Sequence, residues 1–177
     1  TFVESIVCIS KLRSIAGIGF GDNFGFAVVS LIAHLWENVL PMSAFIGRWT
    51  LLKSENFDAY MKQCGVRVVT RRIAATLKPA LTVTCEGGKW KFLSESTFKT
   101  IVFEFELDKE FVEITGDGRK FMSKVTMNGD KMIQQQKAIN PGDKDSHFER
   151  YVDEEGHLIM ICECEGVVSK RTYKRAE

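Results

Sequence analysis

Glu86-Gly87-Gly88, Asp108-Lys109-Glu110, Gly116-Asp117-Gly118, Asn128-Gly129-Asp130, Asn140-Pro141-Gly142, Asp153-Glu154-Glu155-Gly156 and Glu165-Gly166 punctuate the chain from Pro79 to its end. They recur about every ten residues, the spacing of strands joined by tight turns, and their Gly, Asn and Asp residues tolerate the backbone such turns require. The pattern is that of an antiparallel meander. With one strand placed before it, at Ile46 to Lys53, the chain holds about ten strands. A meander this long removes its exposed edges by closing on itself. The expected fold is therefore all-β, a ten-stranded antiparallel up-and-down barrel with room for one small ligand.

Between the first strand and the meander lies a short helical episode. Ser54 or Asn56 is placed to cap a helix whose first turn carries Glu55 and Asp58. Phe57, Tyr60, Met61 and Cys64 then follow helical spacing, and Gly65 ends the run. A second helix, about Val68 to Leu77, stops before Pro79. This helix-turn-helix, inserted after the first strand, is expected to cap one mouth of the barrel.

Side-chain parity in the late strands points to the guest. In Val167 to Lys174, Val167, Ser169, Arg171 and Tyr173 share one face, while Lys170, Thr172 and Lys174 share the other. The face without lysines is the inner one. In Ser146 to Val152, Phe148, Arg150 and Val152 lie together, so a second arginine points inward. Taking a guanidinium out of water costs several kcal/mol unless an anion meets it. Two inward arginines therefore imply a guest with negative charge, most simply a carboxylate.

Composition narrows the classes further. The 177 residues are 45% apolar, enough for a sizeable core, and 24 basic against 23 acidic residues give no polycationic character, which argues against a nucleic-acid binder. Cys8, Cys64, Cys85, Cys162 and Cys164 are odd in number and contain no C-x-x-C. Cys162-x-Cys164 puts two thiols on one strand face, which suits reduced side chains better than a disulfide or a zinc site. No metal or cofactor is expected. No G-x-S-x-G elbow or H-E-x-x-H is present, so an enzyme is not expected either.

Residues 1–41 differ in character from the rest of the chain. Phe24 to Ala33 is an apolar run too short to span a bilayer, interrupted downstream by His34 and Glu37, with no clean small-x-small cleavage site after it. Met42 reads as an ordinary start. The expected division is a leader or extension over 1–41, outside the barrel, and a ligand-binding barrel over 42–177.

Gly47-Arg48-Trp49-Thr50-Leu51 followed by Asn56-Phe57-Asp58-Ala59-Tyr60-Met61 resembles the opening of the intracellular fatty-acid-binding proteins, G-x-W-x-L then N-F-D-x-Y-M. Ser94 to Lys99, Thr115 to Lys120 and Arg171-Thr172-Tyr173 continue the resemblance over about residues 42–177. It is closest to the heart, adipocyte, epidermal and myelin group and its invertebrate relatives. The resemblance implies a ligand carboxylate held directly by Arg171 and Tyr173, with Arg150 acting partly through water. It implies that Phe57, Met61, Ala74 and Phe98 line the portal or tail cavity, and that Asp117, Arg119, Gln136 and Cys162 occupy polar or small inward positions. Arg119 has two open readings, ligand-facing or neutralised by Asp117. Leu77 and the Glu154-Glu155 turn depart from the pattern of many relatives.

The resemblance further implies a monomeric, non-enzymatic, cytoplasmic carrier of one long-chain fatty acid that touches anionic membranes transiently. Lys62, Arg71 and Arg72 match three basic positions that direct nuclear import in some relatives, although a solvated helix face is the plainer reading. A binder of retinoids or other hydrophobic acids is the alternative within the barrel class. A secreted carrier is implied only if residues 1–41 act as a signal.

Overall fold

The computed structural model describes residues 42–176. β1 (Gly47–Glu55) leads into α1 (Phe57–Gln63) and α2 (Val68–Thr76). Nine further strands complete the chain: β2 (Ala80–Glu86), β3 (Lys89–Glu95), β4 (Thr100–Glu106), β5 (Glu110–Ile114), β6 (Lys120–Asn128), β7 (Lys131–Ala138), β8 (Ser146–Val152), β9 (Leu158–Cys164) and β10 (Val167–Arg175). All ten form one antiparallel sheet in the order β4-β3-β2-β1-β10-β9-β8-β7-β6-β5. The ring closes where β1 pairs with β10 and lacks a ladder between β4 and β5. This is the expected barrel, nearly closed, with its two helices after the first strand. The expected leader over 1–41 lies outside the described residues.

Alternation places the interior. Phe121, Ser123 and Val125 of β6 are buried, as are Met132, Gln134 and Gln136 of β7, while their neighbours are more exposed. One core cluster gathers Phe45, Trp49, Trp90, Phe92, Phe105, Met132 and Tyr173. A smaller one gathers Tyr60, Met61 and Cys64 of the helical region with Phe148, Cys162 and Cys164. Across the gap, rings take the place of a backbone ladder: Phe111 of β5 stacks on Phe103 and Phe105 of β4 with centroids 6.4 and 5.7 Å apart. Such pairs add about 0.5–1.5 kcal/mol each to the area they bury.

The terminal strands clasp through the G-x-W sequence. Trp49 is fully buried and donates its indole N–H to the Phe45 carbonyl at 2.9 Å. The Arg175 guanidinium lies 4.3 Å above the Trp49 ring and donates to the Ile46 and Ala44 carbonyls. Gly47, at φ 137°, makes this possible, because a Cβ there would come within 2.8 Å of Arg175 Nη1.

One local expectation is corrected. Neither Ser54 nor Asn56 caps α1 with its side chain, because β1 runs on until Ser54 and Glu55 pair with Arg171 and Lys170. The chain then turns at Asn56, which takes the left-handed conformation at φ 57° and donates its amide to the Val168 carbonyl at 2.7 Å. The end of α1 is as expected. Gly65 at φ 81° comes after Cys64, with Gly65 N–H donating to the Lys62 carbonyl and Val66 N–H to that of Met61, a Schellman closure. The β3–β4 turn carries none of the usual Gly, Asn or Pro punctuation. Ser96 makes it, its Oγ accepting the Lys99 N–H at 3.1 Å.

Candidate functional site

A cavity of about 330 Å³ lies between the helices and the barrel wall. Its apolar lining includes Phe57 and Met61 of α1, Ile73 and Ala74 of α2, and Phe103 and Phe148 of the sheet. Helical spacing aims Phe57, Tyr60, Met61 and Cys64 at the barrel, where the Tyr60 ring meets Phe148 edge-on at 6.2 Å. Phe98, in the β3–β4 turn, lines the same space while 66% exposed, which places it at the rim.

The polar part of the wall centres on two arginines. Arg150 is 4% exposed, and its guanidinium carbon sits 5.4 Å from the Phe92 ring and 5.5 Å from that of Phe148. Nη2 donates to Gln134 Oε1 at 2.8 Å, whereas Nη1 is buried with no acceptor among the described residues. Burial lowers the Arg150 pKa from arginine's ordinary value, opposed by Cys162, Glu113, Tyr173 and Tyr60. An arginine nevertheless keeps its charge in proteins. Arg171 of β10 lies 4.3 Å above the Phe57 ring, and its buried Nε likewise has no acceptor among the described residues. It lines both this cavity and a second groove of about 600 Å³ between β1 and the two helices.

Tyr173 shares the inner face of β10 with Arg171. It is 3% exposed within the larger core cluster, 5.5 Å from the Arg171 guanidinium measured to its ring, and burial raises its pKa while Arg171 opposes the rise. Cys162 is fully buried and lines the cavity, and burial pushes its thiol up to about 12, leaving it protonated and inert at neutral pH.

Arg119 lines the cavity and is at the same time paired with Asp117. Nε donates to Asp117 at 2.9 Å, and Nη1 donates to Asp143 at 3.3 Å and to the Cys64 carbonyl at 2.6 Å. Burial works against this charge, but the two aspartates outweigh it and raise the Arg119 pKa. Asp117 and Arg119 therefore belong to a rim cluster that ties the end of α1 to the β5–β6 and β7–β8 turns. On the helices, Lys62 and Arg72 are exposed, but Arg71 is not a free surface cation. It donates to Asp58 at 2.9 Å and to the Val66 carbonyl at 3.1 Å, with its side chain 17% exposed.

Two polar wall residues escaped the sequence reading. Glu113 Oε2 accepts from Ser123 Oγ at 2.7 Å, Gln134 Nε2 at 2.6 Å and Gln136 Nε2 at 3.1 Å, so Gln134 links Glu113 directly to Arg150. The signal was available in parity. Glu113 shares a face with Phe111 while Val112 and Ile114 point outward, and Gln134 shares the buried face of Met132.

The family model of the lipocalin / cytosolic fatty-acid binding protein family matches residues 46–176. Fatty acid-binding protein homolog 6 of Caenorhabditis elegans is 44% identical over 131 residues, covering 74% of this chain and 96% of that protein. Among solved structures, apo lipid binding protein 8 of C. elegans aligns with a TM-score of 0.74 at 33% identity, over 76% of this chain and 97% of that one. A Schistosoma mansoni fatty acid binding protein in complex with arachidonic acid aligns with a TM-score of 0.72 at 38% identity, over 77% of this chain and 99% of that one.

Proposed function

Because the chain belongs to the lipocalin / cytosolic fatty-acid binding protein family, we propose that it is a non-enzymatic cytoplasmic carrier of one long-chain fatty acid, the carboxylate meeting Arg150, Arg171 and Tyr173. The observation that carries this reading is the pair of buried guanidinium nitrogens, Arg150 Nη1 and Arg171 Nε, that line one cavity and find no acceptor among the described residues. Unpaired buried donors on charged groups are costly, and a carboxylate satisfies both. Charge at the arginine pole supports a monoanion: Arg150 and Arg171 carry two positive charges against one negative from Glu113, while of the other charged lining residues Lys99 is exposed and Arg119 is paired with Asp117. The tail supplies affinity. Burying each methylene gains about 0.8 kcal/mol, so sixteen carbons offer a gross gain near 12 kcal/mol. Head-group desolvation and immobilisation reduce this to an affinity between about nanomolar and micromolar.

Phe57, Met61, Ala74 and Phe98 form the apolar route by which the tail enters, and Gln136 and Cys162 complete the wall around it. The carrier acts as a monomer. The exposed Lys62 and Arg72 draw the helical end to anionic membrane, at about 1 kcal/mol for each cation near a charged surface. Replacing both with glutamine slows transfer to anionic vesicles and flattens its salt dependence without changing affinity. Unaltered transfer would sink that part of the reading.

The carboxylate assignment is tested by a double-mutant cycle. Arg171→Gln weakens fatty-acid binding by about 1.5–3 kcal/mol, the range for a hydrogen bond to a charged group, and leaves binding of the matching fatty alcohol nearly unchanged. Equal losses for acid and alcohol would show that the inward arginines are structural.

A further inference from the structure

The cavity wall has an acceptor pole beside its donor pole and, resting on the carrier reading, this pole selects among fatty acids. Glu113 lines the cavity with a carboxylate whose Oε2 takes all three of its hydrogen bonds from the described residues, those of Ser123, Gln134 and Gln136. These three donors come from β6 and β7 and fix the group from one side. Oε1 accepts no hydrogen bond from the described residues. A half-buried wall carboxylate with one oxygen saturated and the other without a bond from the described residues is an acceptor for a hydrogen-bond donor on the guest, and a plain alkyl tail has none to offer.

The position of this acceptor is also informative. A single side-chain amide separates it from the carboxylate pole, because Gln134 donates to Glu113 through Nε2 at 2.6 Å and accepts from Arg150 through Oε1 at 2.8 Å. The donor that reaches Glu113 therefore sits on one of the first carbons of a chain whose head lies at the arginines. Charge separates a hydroxyl from an amine. A carboxylate alone balances the inner wall, and an added ammonium would leave a buried positive charge unpaired. We infer that the cavity favours fatty acids hydroxylated near the carboxyl end, with the hydroxyl donating to Glu113 Oε1.

In an apolar cavity a hydroxyl that finds no partner weakens binding, so the sign of its effect is diagnostic. Titration calorimetry on the full chain with palmitate, stearate, 3-hydroxypalmitate, 3-methoxypalmitate and 12-hydroxystearate reads it. The expected order is 3-hydroxypalmitate about fivefold to tenfold tighter than palmitate, with the methoxy and 12-hydroxy compounds weaker than their plain parents. Glu113→Gln keeps an amide oxygen for Ser123, Gln134 and Gln136 and turns an N–H toward the guest. In that variant the 3-hydroxy advantage falls and the methoxy compound, which can only accept, gains relative to palmitate. The inference is overturned if wild-type protein binds 3-hydroxypalmitate no better than palmitate, or if its advantage survives Glu113→Gln undiminished. Should that variant not fold, the contrast between 3-hydroxy and 12-hydroxy guests in the wild-type chain decides alone. Failure of palmitate itself to bind would instead count against the carrier reading.

Discussion

Arg119 joins three segments that no backbone ladder connects: the end of α1 at Cys64, the β5–β6 turn at Asp117 and the β7–β8 turn at Asp143. Its side chain is 22% exposed, so the pairs are only partly screened by water. Arg119→Gln should cost about 1–3 kcal/mol of stability in denaturant melts, since it removes the shared partner of two aspartates. It should also speed ligand release, because the helical cap loses an attachment. A variant with wild-type stability and release rates would return Arg119 to the role of a dispensable surface cation. The sequence could not decide this, since Asp117 lies two residues away whereas Asp143 and Cys64 approach only through the fold. Arg150 and Arg171 were legible because strand parity fixes facing directly. Parity alone gives no depth along a strand, and it therefore could not say that Tyr173 lies within the core cluster.

The two helices differ in how firmly they are held. α1 buries Tyr60 and Met61 and is tied by Gln63 to Glu165 at 2.6 Å, whereas α2 buries no residue completely and presents Val68 and Val69 to solvent. Elements with few buried contacts open at low free energy, which suits α2 and the β3–β4 turn to admitting a tail. Phe98→Ala should therefore change the rates of ligand entry and exit by stopped flow while costing much less than the roughly 3–5 kcal/mol of a buried Phe deletion. A core-sized loss with unchanged rates would remove Phe98 from the entry route. Both helices were readable from spacing and from Gly65, but the start of α1 was not. Whether Ser54 caps a helix or extends a strand depends on its pairing with Arg171, a partner 117 positions away in sequence.

At the scale of the molecule, the described residues anchor β1 from its own doorstep. Phe45 is 1% exposed in the main core cluster, with Met42 packed against it, so the hydrophobic closure of β1 starts inside residues 42–46. Protein beginning at Met42 should keep the thermal midpoint and fatty-acid affinity of the full chain to within about 1 kcal/mol. A large loss of either would show that residues 1–41 are part of the folded domain. The strand count and closure could be read from turn chemistry, except at Ser96, but the place where the ring stays unladdered could not, because nothing in local sequence distinguishes paired edges from facing ones. That unladdered place gives the barrel the mechanics of a split ring. Nine of its ten seams are fastened by ladders of directional bonds that fail when stretched, while the tenth is held by the flat faces of Phe103, Phe105 and Phe111, which can slide and still touch, and at one end by a flexible Lys99 side chain that donates to the Gly116 carbonyl at 2.8 Å. That seam is therefore the one place where the ring's girth can change without unzipping a strand ladder.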